Sequence, residues 1–241
     1  MNMLIILALI LSIGICFLIP LGSLAYFVIK DKKRIKSFFI GILIFFITQI
    51  VIRLPLIGFV FPKMKWYENM FLNTWLSAIF LALTAGLVEE IGRYIAFKYI
   101  LKNNRTYSDG IAFGFGHGGI EAILITGISC IVILIGILVG NGFNLGITAT
   151  DVFIVGFERL CAMVIHIGLS IIILYGVREN HIRYLFIGIL IHTLVNFPII
   201  ILSRVFNVGF MGVEAYVFIC AIIIGGFTIY AKNLYDKQKL N

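Results

Sequence analysis

The sequence predicts an all-α integral membrane protein, a bundle of about seven transmembrane helices. Of its 241 residues, 61% are hydrophobic and only 12% are charged, whereas soluble domains carry about 25% charged residues. The apolar residues gather in runs long enough to cross a bilayer, and the charged residues lie in short clusters between these runs. No repeat, low-complexity tract or long linker divides the chain, so we expect residues 1–241 to form a single membrane domain.

Seven apolar segments can be marked along the chain, and each is long enough for a membrane-spanning helix. They cover roughly residues 3–29, 37–60, 71–97, 108–139, 152–177, 184–206 and 215–231. The first segment has no basic region before it and is too long for a signal-peptide core, so we interpret it as a retained helix. Short polar stretches separate the segments, and residues 141–150 are predicted to form an outer loop.

Small residues crowd the start of the fourth segment. In a soluble helix they would be destabilising, but in a membrane they allow neighbouring backbones to approach closely. The residues are Gly110, Gly114, Gly116, Gly118 and Gly119. We therefore predict that this segment is a tightly packed interior helix.

The basic residues lie mainly in alternate loops. Thirteen of the 19 Lys and Arg residues are on one side: Lys30, Lys32, Lys33, Arg34, Lys36, Lys98, Lys102, Arg105, Arg178, Arg183, Lys232, Lys237 and Lys239. The opposite loops carry only Lys63 and Lys65. The positive-inside rule then places the amino terminus outside and the carboxyl terminus in the cytoplasm. The net charge of +8 is thus typical of membrane loops, and we expect no nucleic-acid partner.

Ionisable and polar side chains also occur inside four of the apolar segments. A charge at the bilayer centre costs roughly 2.5–3.5 kcal/mol, so such residues indicate function. A rise of 1.5 Å per residue predicts that they share one layer in the cytoplasmic half. They are Glu89, Glu90 and Arg93, then His117 and Glu121, then His166, then His192 and Asn196.

Helical spacing places several of these residues on common faces. The pairs Glu89 and Arg93, His117 and Glu121, and His192 and Asn196 are each four residues apart, so the members of a pair share one face. Arg53 and the pair Glu158–Arg159 lie nearer the outer face, and we interpret them as structural ion pairs.

Three chemistries could use this set of side chains. A glutamate could activate water against a carbonyl, with His or Asn at the oxyanion. Zinc could be bound by His117, Glu121, His166 and His192. Acids and histidines in membrane helices could also form a proton or ion pathway. The chain has no His-Glu-x-x-His signature, so hydrolysis without a cofactor is favoured, with zinc as the alternative.

The motifs resemble those of the YhfC family of bacterial intramembrane proteases, which is related to the type II CAAX prenyl proteases and the PrsW proteases. They are Glu89-Glu90-x-x-Arg93, Phe113-Gly-Phe-Gly-His117-Gly-Gly-Ile-Glu121, Glu158-Arg159 followed by His166, and His192-x-x-x-Asn196. The resemblance covers roughly residues 84 to 200.

The resemblance implies a glutamate-dependent endopeptidase in the bacterial plasma membrane. Glu89 would activate the water, and Glu90 and Arg93 would support it. His192 and Asn196 would bind the oxyanion. Either His117 or Glu121 would match the histidine of the Phe-x-x-x-His motif of the CAAX proteases. His166 would match a histidine of PrsW-like members.

The expected partners are the lipid bilayer and a membrane-embedded or membrane-associated protein or peptide substrate. We expect the polar cavity to open towards the cytoplasmic half. The alternative function is a non-catalytic scaffold, or a protein like bacteriocin-immunity factors, that uses the same cavity for binding.

Overall fold

The computed structural model describes residues 3–140 and 146–237, and within these ranges the regular elements are all helices. Eight helices follow one another: α1 (Met3–Lys30), α2 (Lys32–Lys63), α3 (Lys65–Phe71), α4 (Thr74–Ile100), α5 (Tyr107–Leu138), α6 (Ala149–Arg178), α7 (Arg183–Arg204) and α8 (Phe210–Lys237). All except α3 are long and apolar enough to cross a membrane. The predicted seven-helix membrane bundle is confirmed; residues 141–145 of the predicted outer loop, and Lys239, lie outside the described residues.

Side-chain caps fix where three helices begin. The side chain of Asn73 accepts two backbone N–H groups of the first turn of α4. Reciprocal capping boxes open α5, through Thr106 and Asp109, and α6, through Thr148 and Asp151. Such caps satisfy the backbone donors that a helix start leaves unpaired.

Helix α6 is the centre of the bundle. In its most apolar window 72% of the residues are buried, against 22–39% for the other spanning helices. It packs against α1, α4, α5, α7 and α8, while α2 packs on α5 and α4 packs on α7. The four helices that carry the predicted polar layer therefore meet in the interior.

Wide helical turns with i→i+5 hydrogen bonding occur inside two of the helices near this layer. In α2 such turns cover Phe46–Arg53, and in α5 they cover Ala122–Gly127, directly after Glu121. Such turns are rare in proteins, and those that occur are often found at functional sites.

The glycines of α5 allow it to approach two neighbouring helices closely. A Cβ atom on Gly116 would overlap the carbonyl oxygen of Phe38 in α2, and one on Gly118 would lie 3.0 Å from the Cα atom of Met163 in α6. The prediction of a tightly packed interior helix is therefore confirmed.

We expect Gly116→Ala to destabilise the protein by about 1–3 kcal/mol, because the added methyl group meets the backbone of α2. Gly22→Ala is the matched control, since Gly22 is also helical and has no neighbour within 4 Å of an added Cβ. Alanine favours helix over glycine by about 1 kcal/mol, so the control should be neutral or stabilising. Thermal unfolding midpoints in one detergent measure both; equal midpoints would contradict the close contact.

Candidate active site

A cavity of about 490 Å³ lies among α2, α4, α5, α6 and α7. Five of the predicted site residues line it: Glu89, Glu121, His166, His192 and Asn196. The other three, Glu90, Arg93 and His117, are fully buried behind its wall. The eight residues thus surround one site, contributed by four helices.

Glu89 is held between α2 and α5. The Nε2 atom of His117 lies 2.9 Å from Glu89 Oε2, and the side-chain amide of Gln49 donates to Glu89 Oε1. The residue keeps 4% of its surface exposed and borders the cavity. Its carboxylate is therefore positioned by two neighbours and still faces the cavity.

Arg93 contacts Glu90 instead of Glu89, the partner four residues away that the spacing suggested. Its Nη1 donates to Glu90 Oε1, and its Nη2 lies 3.2 Å from His166 Nδ1. Successive helical residues point about 100° apart, so Glu89 faces α2 and α5 while Glu90 faces α7. There, His192 Nδ1 lies 2.8 Å from Glu90 Oε1.

The carboxylate of Glu121 contacts two side chains of α6. Its Oε2 lies 2.6 Å from His166 Nε2, and its Oε1 lies 3.1 Å from Arg159 Nη1. A guanidinium can only donate, so His166 Nδ1 accepts from Arg93. His117 and Glu121 share a helix face but have different partners.

Sequence reasoning missed Gln49 and assigned Arg53 and Arg159 only structural roles. Arg53 Nη1 donates to Gln49 Oε1 at 3.2 Å, and Gln49 in turn donates to Glu89. Arg159 also pairs with Glu158 while it contacts Glu121. One signal was present: Gln49 is the one amide in the apolar run 37–60 and precedes Arg53 by four residues.

Asn196 lies one turn beyond His192 and lines the same cavity. Among the described residues its side chain has no hydrogen-bond partner, whereas the side chain of His192 is bonded to Glu90. The amide is therefore available to a molecule in the cavity.

The cavity lies on the opposite side of the polar layer from the one we predicted. Its lining extends from the polar layer to Ile57 in α2, Leu81 in α4 and Ile200 in α7. These three residues lie towards the helix ends that the charge count assigns to the outside. A packed apolar cluster that includes Phe97 and Phe113 closes the site on the side that the charge count assigns to the cytoplasm. The predicted cytoplasmic opening is wrong, because bulky side chains separate the polar layer from that end of the bundle.

Four residues of the layer meet the requirements of a metal site. Glu89, His117, Glu121 and His166 each offer a ligand atom, and these atoms lie within 4.8 Å of one another. Histidine nitrogen and carboxylate oxygen are ligands that zinc accepts. His192, which we also named as a possible ligand, is outside this group.

The surrounding polar network is also consistent with a bound cation. Within the described residues, Glu90 Oε2, Arg93 Nε and His117 Nδ1 are buried without a hydrogen-bond partner, and such atoms call for water or an ion. Four carboxylates (Glu89, Glu90, Glu121, Glu158) and three guanidinium groups (Arg53, Arg93, Arg159) lie in this network, and Arg53 donates to Gln49 whereas the other two pair with carboxylates. The donor set and the excess of negative charge therefore fit a cation.

Comparison with known proteins finds similarity over most of the chain. A family model described as "YhfC intramembrane metalloprotease" matches residues 15–224. A protein of Bacillus subtilis (strain 168), described as "Uncharacterized membrane protein YhfC", is 32% identical over 241 residues, covering 91% of this chain and 92% of its own length. No solved structure matches the chain. The expectation that the site works without a cofactor is wrong, because the matching family is named a metalloprotease and the layer contains a Glu/His group of suitable size.

Proposed function

Since this chain belongs to the YhfC family, we propose that it is an intramembrane metalloprotease that hydrolyses peptide bonds of membrane-associated substrates. The observation that carries the proposal is the group of Glu89, His117, Glu121 and His166, whose ligand atoms lie within 4.8 Å of one another. Three members of this group border a cavity of about 490 Å³, which is large enough to admit a segment of polypeptide.

We assign His117, Glu121 and His166 as the metal ligands. Catalytic zinc sites keep three protein ligands, and two histidines with one glutamate is a known combination. When bound, the ion supplies Lewis acidity towards a carbonyl oxygen and lowers the pKa of water. Each of the two histidines would hold the ion through the lone pair of one ring nitrogen.

Glu89 is the general base. A base must reach the water from which it takes a proton, and Glu89 borders the cavity. Glu90 is fully buried and is bonded to Arg93 and His192. Glu90 and Arg93 are therefore positioning residues, which orient His192 and His166.

The reaction is a single displacement by water. Water loses a proton to Glu89 as its oxygen attacks the scissile carbonyl carbon. Asn196, whose amide is unpaired among the described residues, donates to the carbonyl oxygen beside His192, as in other oxyanion sites. When the C–N bond breaks, Glu89 returns the proton to the leaving amine.

The position of the cavity defines the direction of substrate access. It extends from the polar layer towards the helix ends that the positive-inside rule assigns to the outside. We therefore expect a substrate segment to reach the polar layer from the side that the charge count assigns to the outside.

We expect Gln49→Leu to lower kcat/KM by about 10- to 100-fold, because a hydrogen bond to a charged group contributes about 1.5–3 kcal/mol. The bound metal content should not change, since Gln49 is not a ligand. Thr48→Val is the matched control, because the Thr48 hydroxyl bonds only carbonyls of its own helix. Cleavage rates of the purified variants measure the effect; equal rates for both would remove Gln49 from the positioning of Glu89.

The proposed function is tested by comparing membrane proteomes of cells with and without the protein. The result to score is new peptide termini, and we expect some to fall within apolar segments only when the protein is present. The same set of termini in both samples, with the protein expressed and folded, would argue against proteolysis and for the scaffold alternative.

A further inference from the structure

A second pocket lies at the opposite end of the bundle from the active-site cavity. Its volume is about 350 Å³. It is formed by the first turn of α2, by the loop before α5 with the first turn of that helix, and by the ends of α6 and α8, on the side that the charge count assigns to the cytoplasm. Its lining is Arg34, Arg105, Thr106, Tyr107, Ser108, Arg178, Lys232 and Tyr235.

Among the described side chains, three of the four cations in this pocket have no acidic partner. Arg34 is paired with Asp31 and Asp109. For Arg105, Arg178 and Lys232, no acidic group lies within 4.0 Å among the described side chains. Like charges repel, so a pocket that gathers three unpaired cations favours an anionic ligand.

Two of these cations are held in position by the protein itself. Arg105 donates through Nε and Nη2 to the carbonyl oxygens of Phe97 and Lys98, at 2.9 and 2.7 Å, and its Nη1 has no partner among the described residues. The guanidinium of Arg178 lies 4.5 Å from the ring centre of Tyr235, whose side chain is 1% exposed. A preorganised guanidinium loses little entropy on binding, which distinguishes this pocket from the exposed lysines of the same face.

We infer that this pocket binds a phosphate-bearing anion, and that the headgroup of an anionic phospholipid is its source. Guanidinium groups match phosphate oxygens in a bidentate geometry. Basic pockets between helices on the cytoplasmic side lie at the depth of lipid headgroups. The first turn of α5 contributes Ser108 to the pocket, so the ligand contacts the helix that carries His117 and Glu121. This inference does not depend on the proposed protease activity.

The test uses the purified full chain in a neutral detergent. Dioctanoyl phosphatidylglycerol, dioctanoyl phosphatidylcholine and inorganic phosphate are titrated separately, and the thermal unfolding midpoint gives apparent affinities. We expect a saturable rise with phosphatidylglycerol and none with phosphatidylcholine. Each cation near the membrane surface contributes about fivefold in affinity. Lys232→Gln should therefore weaken binding about fivefold, and Arg178→Gln with Lys232→Gln about 25-fold.

The matched control is Lys32→Gln with Lys102→Gln, which removes the same charge from exposed positions of the same face that do not line the pocket. It should keep the affinity of the wild-type protein. Lys232 is exposed, so its single variant keeps the test valid if the double variant fails to fold. Equal stabilisation by inorganic phosphate would support the anion site with free phosphate as the source. No stabilisation by either anion, or equal loss in the pocket and control variants, would overturn the inference.

Discussion

Replacing Glu89 by glutamine is expected to slow peptide hydrolysis by about 10²–10⁴-fold, the usual contribution of general acid–base catalysis. Glutamine has nearly the same shape, but its amide cannot accept a proton from water. The residue lies between Gln49 and His117, so the fold and the bound metal should be retained. The measurement is the cleavage rate of a peptide that carries a terminus found in the proteome comparison.

Two further variants make this result specific. Glu68→Gln is the control, since Glu68 is an exposed residue of the short helix α3, and it should cleave at the wild-type rate. Glu90→Gln keeps the base but disturbs the contacts to Arg93 and His192, so we expect a smaller loss. Wild-type activity in Glu89→Gln would refute the assignment of Glu89 as base.

The second large effect concerns the metal. His166→Ala and Glu121→Gln are each expected to lower the bound zinc from about one ion per chain to a small fraction, because three protein ligands hold a catalytic zinc ion. Activity should be lost together with the metal. Elemental analysis of the purified protein measures the zinc content, and removal of zinc by a chelator should inactivate the wild-type protein reversibly.

Two of the four histidines provide the controls for the metal experiment. His181 is exposed in the turn between α6 and α7, so His181→Ala should keep both zinc and activity. His192 is outside the candidate ligand group and contacts Glu90, so His192→Ala should keep zinc and lose activity. Zinc that survives His166→Ala but is lost in His192→Ala would disprove our choice of ligands.

The membrane fold and four of the five helices that surround the site, α4 to α7, could be predicted from the sequence alone. Apolar length decides whether a helix crosses the bilayer. Burying an ionisable group in the membrane is costly, so Glu89, His117, His166 and His192 indicated the polar layer by residue type and position along the chain. The glycines of α5 predicted close helix packing, because small residues let backbones approach. These properties depend on residue type and helical spacing alone.

The pairing of the residues in the layer was decided by the tertiary structure. Spacing along a helix favoured Arg93 with Glu89, but the packing of α4 turns Arg93 and Glu90 towards His166 and His192 and leaves Glu89 to Gln49 and His117. The packing of three helices likewise brings the ligand atoms of Glu89, His117, Glu121 and His166 within 4.8 Å of one another.

The side on which the cavity opens could also not be predicted from the sequence. It depends on which end of the bundle is filled, here the cytoplasmic end by Phe97, Phe113 and their neighbours. The depth of a side chain follows from the rise of its own helix, which the sequence is sufficient to predict. The partner of that side chain, and the space beside it, depend on the rotation and crossing of several helices, which are set by interhelical packing.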